Sequence, residues 1–258
     1  MALLEVRELE KSFGGVTALA NLSFSVPEGI VYAVIGPNGA GKTTLFNTLC
    51  GYHQPGEGSM RFAGVELAGL PTHRIAALGL SRTFQNLQIF FNMTALENVM
   101  VGCHLRSRAG LIGAALRLPG VIREERAVRA WAREALALCG LAGFADHEAS
   151  ALPYGVLKRI EVARALAAKP RLLLLDEPAA GLNDTETLAM RRLIARIRDA
   201  GVTVLLVEHH MGLVMEVSDR VLVLEYGSLL AEGTPAAIQT DPRVIAAYLG
   251  GAVEYAVP

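Results

Sequence analysis

Cysteine is scarce in this chain of 258 residues. Cys50, Cys103 and Cys139 are three in number and widely spaced. That excludes a disulfide framework and offers no metal-ligand spacing, and it suits reduced thiols. No uninterrupted apolar run approaches ~20 residues, so no membrane span is expected. The start, Met1-Ala2-Leu3-Leu4-Glu5-Val6-Arg7, lacks the charged-then-apolar layout of a secretory signal. Net charge is only −1, and there is no polybasic run. A nucleic-acid partner held by phosphate neutralisation is therefore not expected. Internal repeats, low-complexity tracts and sustained heptads are also missing. The length suffices for one large α/β core, or for a core carrying a subdomain.

The most specific feature present is Gly36-Pro37-Asn38-Gly39-Ala40-Gly41-Lys42-Thr43. It fits G-x-x-x-x-G-K-[ST], the loop that cradles phosphates in nucleotide triphosphatases. Val31-Tyr32-Ala33-Val34-Ile35 reads as a buried strand entering it, and Thr44-Leu45-Phe46-Asn47-Thr48-Leu49 as the helix leaving it. Glycines let backbone N–H groups approach phosphate oxygens with no side chain in the way. The helix N-terminus adds partial positive charge at the same point. Lys42 is expected to reach the β- and γ-phosphates of ATP, and the Thr43 hydroxyl to hold Mg²⁺. Thr44 completes the expected nucleotide contacts.

Leu172-Leu173-Leu174-Leu175-Asp176-Glu177-Pro178 is an apolar run ending in two carboxylates. Four leucines fit a central parallel strand covered on both faces. The carboxylates then emerge at its C-terminal end, where open α/β sheets bind ligands. Asp176 fits a Mg²⁺-side carboxylate acting through a coordinated water, and Glu177 a general base that polarises the attacking water.

Leu152-Pro153-Tyr154-Gly155-Val156-Leu157-Lys158-Arg159 lies just upstream, with Gly155 21 residues before Asp176. A helical pattern follows. The segment resembles the L-S-G-G-Q signature of ATP-binding cassette (ABC) proteins, with Pro153, Tyr154 and Val156 departing from it. Gly155 keeps the second glycine, whose N–H at a helix start can face a γ-phosphate. Tyr154 and Gly155 are thus expected nucleotide contacts.

The resemblance extends along the chain. Gln85, in Ser81-Arg82-Thr83-Phe84-Gln85, looks like the family's mobile glutamine that touches Mg²⁺ or the lytic water. His209, in Val204-Leu205-Leu206-Val207-Glu208-His209-His210, looks like the histidine that meets the γ-phosphate. His210 is the alternative. Ala180-Gly181-Leu182-Asn183 looks like the loop that usually ends in Asp. Phe13 looks like the aromatic that stacks on adenine, and a plain core phenylalanine is the other reading.

Finer similarity points to the ATPases of branched-chain amino-acid importers. It is carried by Ser81 to Asn86, Phe90 to Val99, Tyr154-Gly155, Pro178 to Asn183, Glu208 to Met211, and Val244-Ile245-Ala246-Ala247-Tyr248-Leu249-Gly250. An insertion after Glu97-Asn98-Val99 implies the longer of that family's two ATPase subunits. An ATPase of lipopolysaccharide-type export is the alternative, and a non-transport ABC ATPase a further one.

The motif spacing sets the organisation. From Lys42 to Asp176 is 134 residues, too far for one strand–helix–strand crossover. The expected fold is α/β: a P-loop ATPase core with a mixed, mainly parallel sheet, an antiparallel β region near residues 1–30 and 57–65, and an inserted helical subdomain. The core takes 1–85 and 155–258, and the helical subdomain about 86–154. Within the latter, Glu124 to Leu138 has helical periodicity, with Val128, Trp131, Ala135 and Leu138 on one stripe, and Gly140 stops it. Strands are expected at Val202–Val207 and Val221–Glu225, a hairpin turn at Tyr226-Gly227-Ser228, and one last helix near Pro235 to Leu249. The stretch from Val101 to Ile122 reads as a loop and short helix, or as an amphipathic membrane-surface segment.

The resemblance implies a mechanism and partners. A second ATPase subunit, identical or not, supplies its signature glycine across a head-to-tail interface. Two transmembrane permease subunits receive the motion, and a periplasmic or extracellular solute-binding protein delivers the solute. The chain is then peripheral, at the cytoplasmic face of the inner membrane. Leu87, Ile89, Phe90 and Phe91 form either a docking groove for a permease or the core of the helical subdomain.

Overall fold

Two sheets organise the chain, and the site lies at the edge of the second. The structure is a computed structural model that describes residues 2–84, 87–106 and 119–253. Strands β1 (Ala2–Phe13) and β2 (Val16–Pro27) form a long antiparallel hairpin turned at Gly14-Gly15. Strand β3 (Val31–Ile35) enters the second sheet with every residue buried, and helix α1 (Lys42–Leu49) follows. Strands β4 (Glu57–Phe62) and β5 (Val65–Glu66) return to the hairpin, giving a four-stranded antiparallel sheet of order β2-β1-β4-β5.

Helix α2 (Thr72–Ala77) then leads to β6 (Leu80–Arg82) on the edge of the second sheet. Three helices form a layer of their own: α3 (Ala95–Val101), α4 (Pro119–Leu138) and α5 (Tyr154–Ala167). A reciprocal Thr94–Glu97 capping box starts α3, satisfying orphan N–H groups at both ends of the box. Helix α5 packs on both α3 and α4.

The remaining strands complete the second sheet. They are β7 (Leu172–Asp176), β8 (Thr203–Val207), β9 (Arg220–Glu225) and β10 (Ser228–Gly233). Helices α6 (Asp184–Asp199), α7 (Met211–Val217), α8 (Pro235–Thr240) and α9 (Pro242–Val253) surround them. The order is β10-β9-β3-β8-β7-β6, parallel from β9 to β6, with β10 antiparallel on the edge. Strands β3, β7 and β8 are buried throughout, as a parallel sheet covered on both faces requires. Alternate side chains serve two cores. Val31, Ala33, Leu173 and Leu206 face the helical side. Tyr32, Val34, Leu174 and Leu205 face α1 and the antiparallel sheet.

Three local expectations shift. Helix α4 begins at Pro119 rather than Glu124, since proline is tolerated in a first turn. Its buried face is Ala132, Ala135 and Leu136, with Cys139 buried just past its end. Val128, Trp131 and Leu138 pack at the margin of that face. The last helix is two. Asp241 is extended (φ −72, ψ 116) between them, because the ring of Pro242 disfavours helical backbone at the preceding residue. The hairpin turn does fall at Tyr226-Gly227, both with positive φ (46 and 80), the geometry of a two-residue hairpin loop. All three cysteines are free and buried, and burial pushes the Cys139 thiol up to about 12.

Candidate nucleotide-binding site

Strands β3, β8, β7 and β6 lie side by side and parallel. Their C-terminal ends therefore deliver the phosphate loop, Glu208-His209, Asp176-Glu177 and Arg82-Thr83 to one edge. The loop is pressed close to its neighbours. Gly36 has φ +154, and a Cβ there would lie 2.2 Å from the Leu224 carbonyl oxygen. Gly41 has φ +99, and a Cβ there would lie 2.5 Å from the Ala18 carbonyl oxygen. Only glycine fits either position. Around Gly39 (φ +79) nothing lies within 4 Å of a Cβ position, so the exposed turn is open to a ligand.

Lys42 is 6% exposed. Its Nζ donates to the carbonyls of Gly36 (2.7 Å) and Pro37 (2.8 Å). Burial pushes its pKa below the ordinary lysine value, and the charges of Glu177 and Asp176 oppose that shift. Ala18, Asn38, Gly39, Ala40, Gly41, Lys42, Thr43, Thr44, Glu177 and His209 line a polar cleft of ≈ 280 Å³.

Asp176 and Glu177 are adjacent but differently held. The Asp176 carboxylate is 3% exposed and pairs with Arg82, Nη2 to Oδ2 at 2.7 Å. Its backbone N–H donates to the Thr83 hydroxyl at 3.3 Å. Glu177 adopts left-handed backbone, φ +49. For a non-glycine residue this costs on the order of 1–3 kcal/mol, a strain that functional sites tolerate. The N–H of Glu177 donates to the Val207 carbonyl at 2.8 Å, tying the strained residue to the end of β8. Its side chain then meets His209, Nε2 to Oε1 at 3.1 Å.

The two histidines part ways. His209 stands in the cleft. His210 caps α7, its Nδ1 accepting from the Leu213 N–H at 3.0 Å. Glu208, 3% exposed, accepts from the N–H groups of Ala179 (2.7 Å), His209 (2.9 Å) and His210 (3.1 Å). It fixes the β7 and β8 loops to one another. Sequence reading gave Glu208 no role, and an acidic residue closing an apolar strand is the signal that marks it.

Other expected site residues lie elsewhere. Tyr154 and Gly155 open α5, whose N-cap is Pro153, and do not line the cleft. The Tyr154 ring packs on Gly181, where a Cβ would stand 3.2 Å from Cε1. Gly155 lies under Glu186, and a Cβ there would be 2.4 Å from Oε1. Asn183 and Glu186 form the capping box of α6, so Asn183 works as a helix cap. Phe13 is 43% exposed and meets His53 edge-on, centroids 5.0 Å apart. It also stands outside the cleft lining. Gln85 lies outside the described residues.

The donor set fits Mg²⁺ with nucleotide. A threonine hydroxyl and a carboxylate are hard oxygen donors. Among the described residues no three Asp, Glu, His or Cys side chains group to hold a metal. Mg²⁺ accepts such a sparse protein set when phosphates and water supply the rest.

A second cleft, of ≈ 260 Å³, separates α2 and β6 from α3 and α5, and its lining includes Cys50, Ile75, Arg82, Phe84, Val101 and Arg164. Leu87 and Ile89 pack inward on the core. Phe90 and Phe91 are exposed, at 45% and 53%. The four apolar side chains thus divide between the two readings of that segment.

The family model described as ABC transporter matches residues 19–180. A second, described as branched-chain amino acid ATP-binding cassette transporter, matches residues 228–254. The high-affinity branched-chain amino acid transport ATP-binding protein BraF of Pseudomonas aeruginosa is 46% identical over 97% of this chain and 98% of its own length. Its counterpart LivG of Escherichia coli is 43% identical over 97% and 98%. The crystal structure of the ADP conformation of MJ1267, an ATP-binding cassette of an ABC transporter, superposes with a TM-score of 0.84. It is 30% identical and covers 97% of this chain and 99% of that one.

Proposed function

This chain belongs to the ATP-binding cassette transporter family, and from that membership we propose that it powers an importer for branched-chain or related hydrophobic amino acids. ATP binding and hydrolysis are the family's activity. The observation that carries a hydrolytic role for this site is the Glu177–His209 contact of 3.1 Å on the wall of the phosphate-loop cleft.

In this reading the loop N–H groups and Lys42 hold the phosphates. Lys42 leaves its two loop carbonyls for the nucleotide, exchanging neutral acceptors for charged ones. Thr43, and Asp176 through a coordinated water, would hold Mg²⁺, which would supply charge neutralisation to the phosphates. Glu177 orients water and takes its proton as general base. His209, held by Glu177, donates to the γ-phosphate. Gln85 would touch Mg²⁺ or the lytic water. Tyr154 and Gly155, remote from their own cleft, serve the nucleotide of a second ATPase subunit. Phe13 stacks on adenine in the closed pair.

The importer reading rests on BraF and LivG, both named for branched-chain amino-acid transport, and on the match at residues 228–254. The longer of two ATPase subunits is the role we assign. Among the described residues no helix is long and apolar enough to cross a membrane. Two permeases are the proposed crossing partners, with a solute-binding protein outside, and this chain sits peripherally at the cytoplasmic face. The test is reconstitution with its permeases and binding protein in vesicles. Leucine, isoleucine or valine should stimulate ATP hydrolysis and accumulate in the lumen. ATP hydrolysis indifferent to these solutes but raised by lipopolysaccharide would hand the chain to the export reading.

A further inference from the structure

Arg82 has no part in the reading above, yet it makes the closest contact of the buried carboxylate. Its side chain is 10% exposed. One arm of the fork, Nη2, donates to Asp176 Oδ2 at 2.7 Å, and the other, Nη1, donates to Asn47 Oδ1 at 2.7 Å. The guanidinium stands over the Phe46 ring, 5.5 Å from its centroid. Asn47 and Phe46 belong to α1, and Asp176 ends β7. Asn47 is four residues beyond Thr43 on the same helix, so both lie on one face. The two metal-side oxygens, of Thr43 and Asp176, thus come from different elements. Arg82, from a third, bridges the pair one turn away. A planar guanidinium with two arms in fixed directions sets a separation in a way that a point charge cannot.

We propose that Arg82 is a positioning residue that holds the Thr43 hydroxyl and the Asp176 carboxylate at the spacing Mg²⁺ requires. The inference rests on the reading of those two residues as the metal-side donors. Arg82 takes one carboxylate oxygen and leaves the other for the ion's coordinated water, and through Asn47 it fixes the helix that carries Thr43. It also lines the cleft between α2, β6 and the helical layer, so the same side chain stands between that cleft and the metal-side carboxylate.

The test is metal binding without turnover. Binding of a fluorescent non-hydrolysable ATP analogue is titrated with Mg²⁺, and bound Mn²⁺ is counted by electron paramagnetic resonance. Arg82→Met should raise the half-saturating metal concentration about tenfold, the lower end of what losing a group that orients a metal ligand costs. Analogue affinity in EDTA should stay within about twofold of wild type, because the phosphate loop is untouched. Arg82→Lys keeps the charge but not the fork, and should remain several-fold raised. Asn47→Ala should move metal affinity in the same direction without touching the ion pair, and it keeps the proposal testable if Arg82→Met does not fold. Asp176→Asn is the reference. Unchanged metal affinity in that variant would remove the metal-donor reading and this proposal with it. A raised requirement in Asp176→Asn with unchanged values in Arg82→Lys and Asn47→Ala would overturn the positioning role alone.

Discussion

Glu177 combines three features that serve a base: a carboxylate at the cleft, a strained backbone (φ +49), and an imidazole 3.1 Å away. Gln is isosteric but takes no proton, so Glu177→Gln should keep ATP binding while turnover falls roughly 10²–10⁴-fold. ATP should then hold the dimer closed, visible as doubled mass on gel filtration with nucleotide. Hydrolysis at the wild-type rate would remove Glu177 from the role. Lys42→Ala should fail differently, losing ATP binding itself, as equilibrium dialysis would report. At this scale the sequence was informative about which residue types matter and silent about their partners. Asp176 and Arg82 are 94 residues apart, and no local pattern joins them. The choice between His209 and His210 likewise turns on where β8 ends and α7 begins, because the first helical turn takes His210 as its cap.

Two elements meet where α5 begins. The Asn183–Glu186 box caps α6, and the Glu186 carboxylate fills the space beside Gly155. Gly155→Ala therefore overpacks the contact and should cost about 1–3 kcal/mol, seen as a lower thermal midpoint. In a Glu186→Ala background the added methyl has room, so the double variant should be less than additive. Strict additivity would place the strain elsewhere. Gly155→Asp adds charge repulsion to the same clash, so Gly155→Ala is the control it requires. The second element is the segment ahead of α3. With Phe90 and Phe91 exposed, it remains our proposed permease contact. Gln88 is exposed beside them. Gln88→Glu or Gln88→Lys should uncouple solute uptake from hydrolysis, with ATP hydrolysis by the isolated chain as the reference. Uptake unaffected by both changes would put the contact elsewhere.

For the whole molecule the proposed function implies association. Tyr154 and Gly155 stand away from the chain's own cleft, so one chain holds half of each proposed site. Specific ATPase activity should rise with protein concentration or with added partner ATPase. Activity that stays flat on dilution far below the dimer constant would sink the composite site. The sequence by itself determined the family, the phosphate loop, the fully buried strands and the antiparallel entry. Each of these is written in a contiguous stretch: glycines where φ is positive, unbroken apolar runs where a parallel sheet is covered twice, turn residues where hairpins close. The break of the last helix was missed in the sequence, although Pro242, which disfavours helical backbone at Asp241, is its signal. What only the tertiary structure decided is which distant groups share a charge or a hydrogen bond. Strand order sets β7 between β8 and β6, and that adjacency gives Asp176 its arginine, Glu177 its histidine and Glu208 the N–H of Ala179. Sequence spacing carries no record of sheet order, and burial makes the Asp176–Arg82 and Glu208–Ala179 pairings obligatory once the order is set.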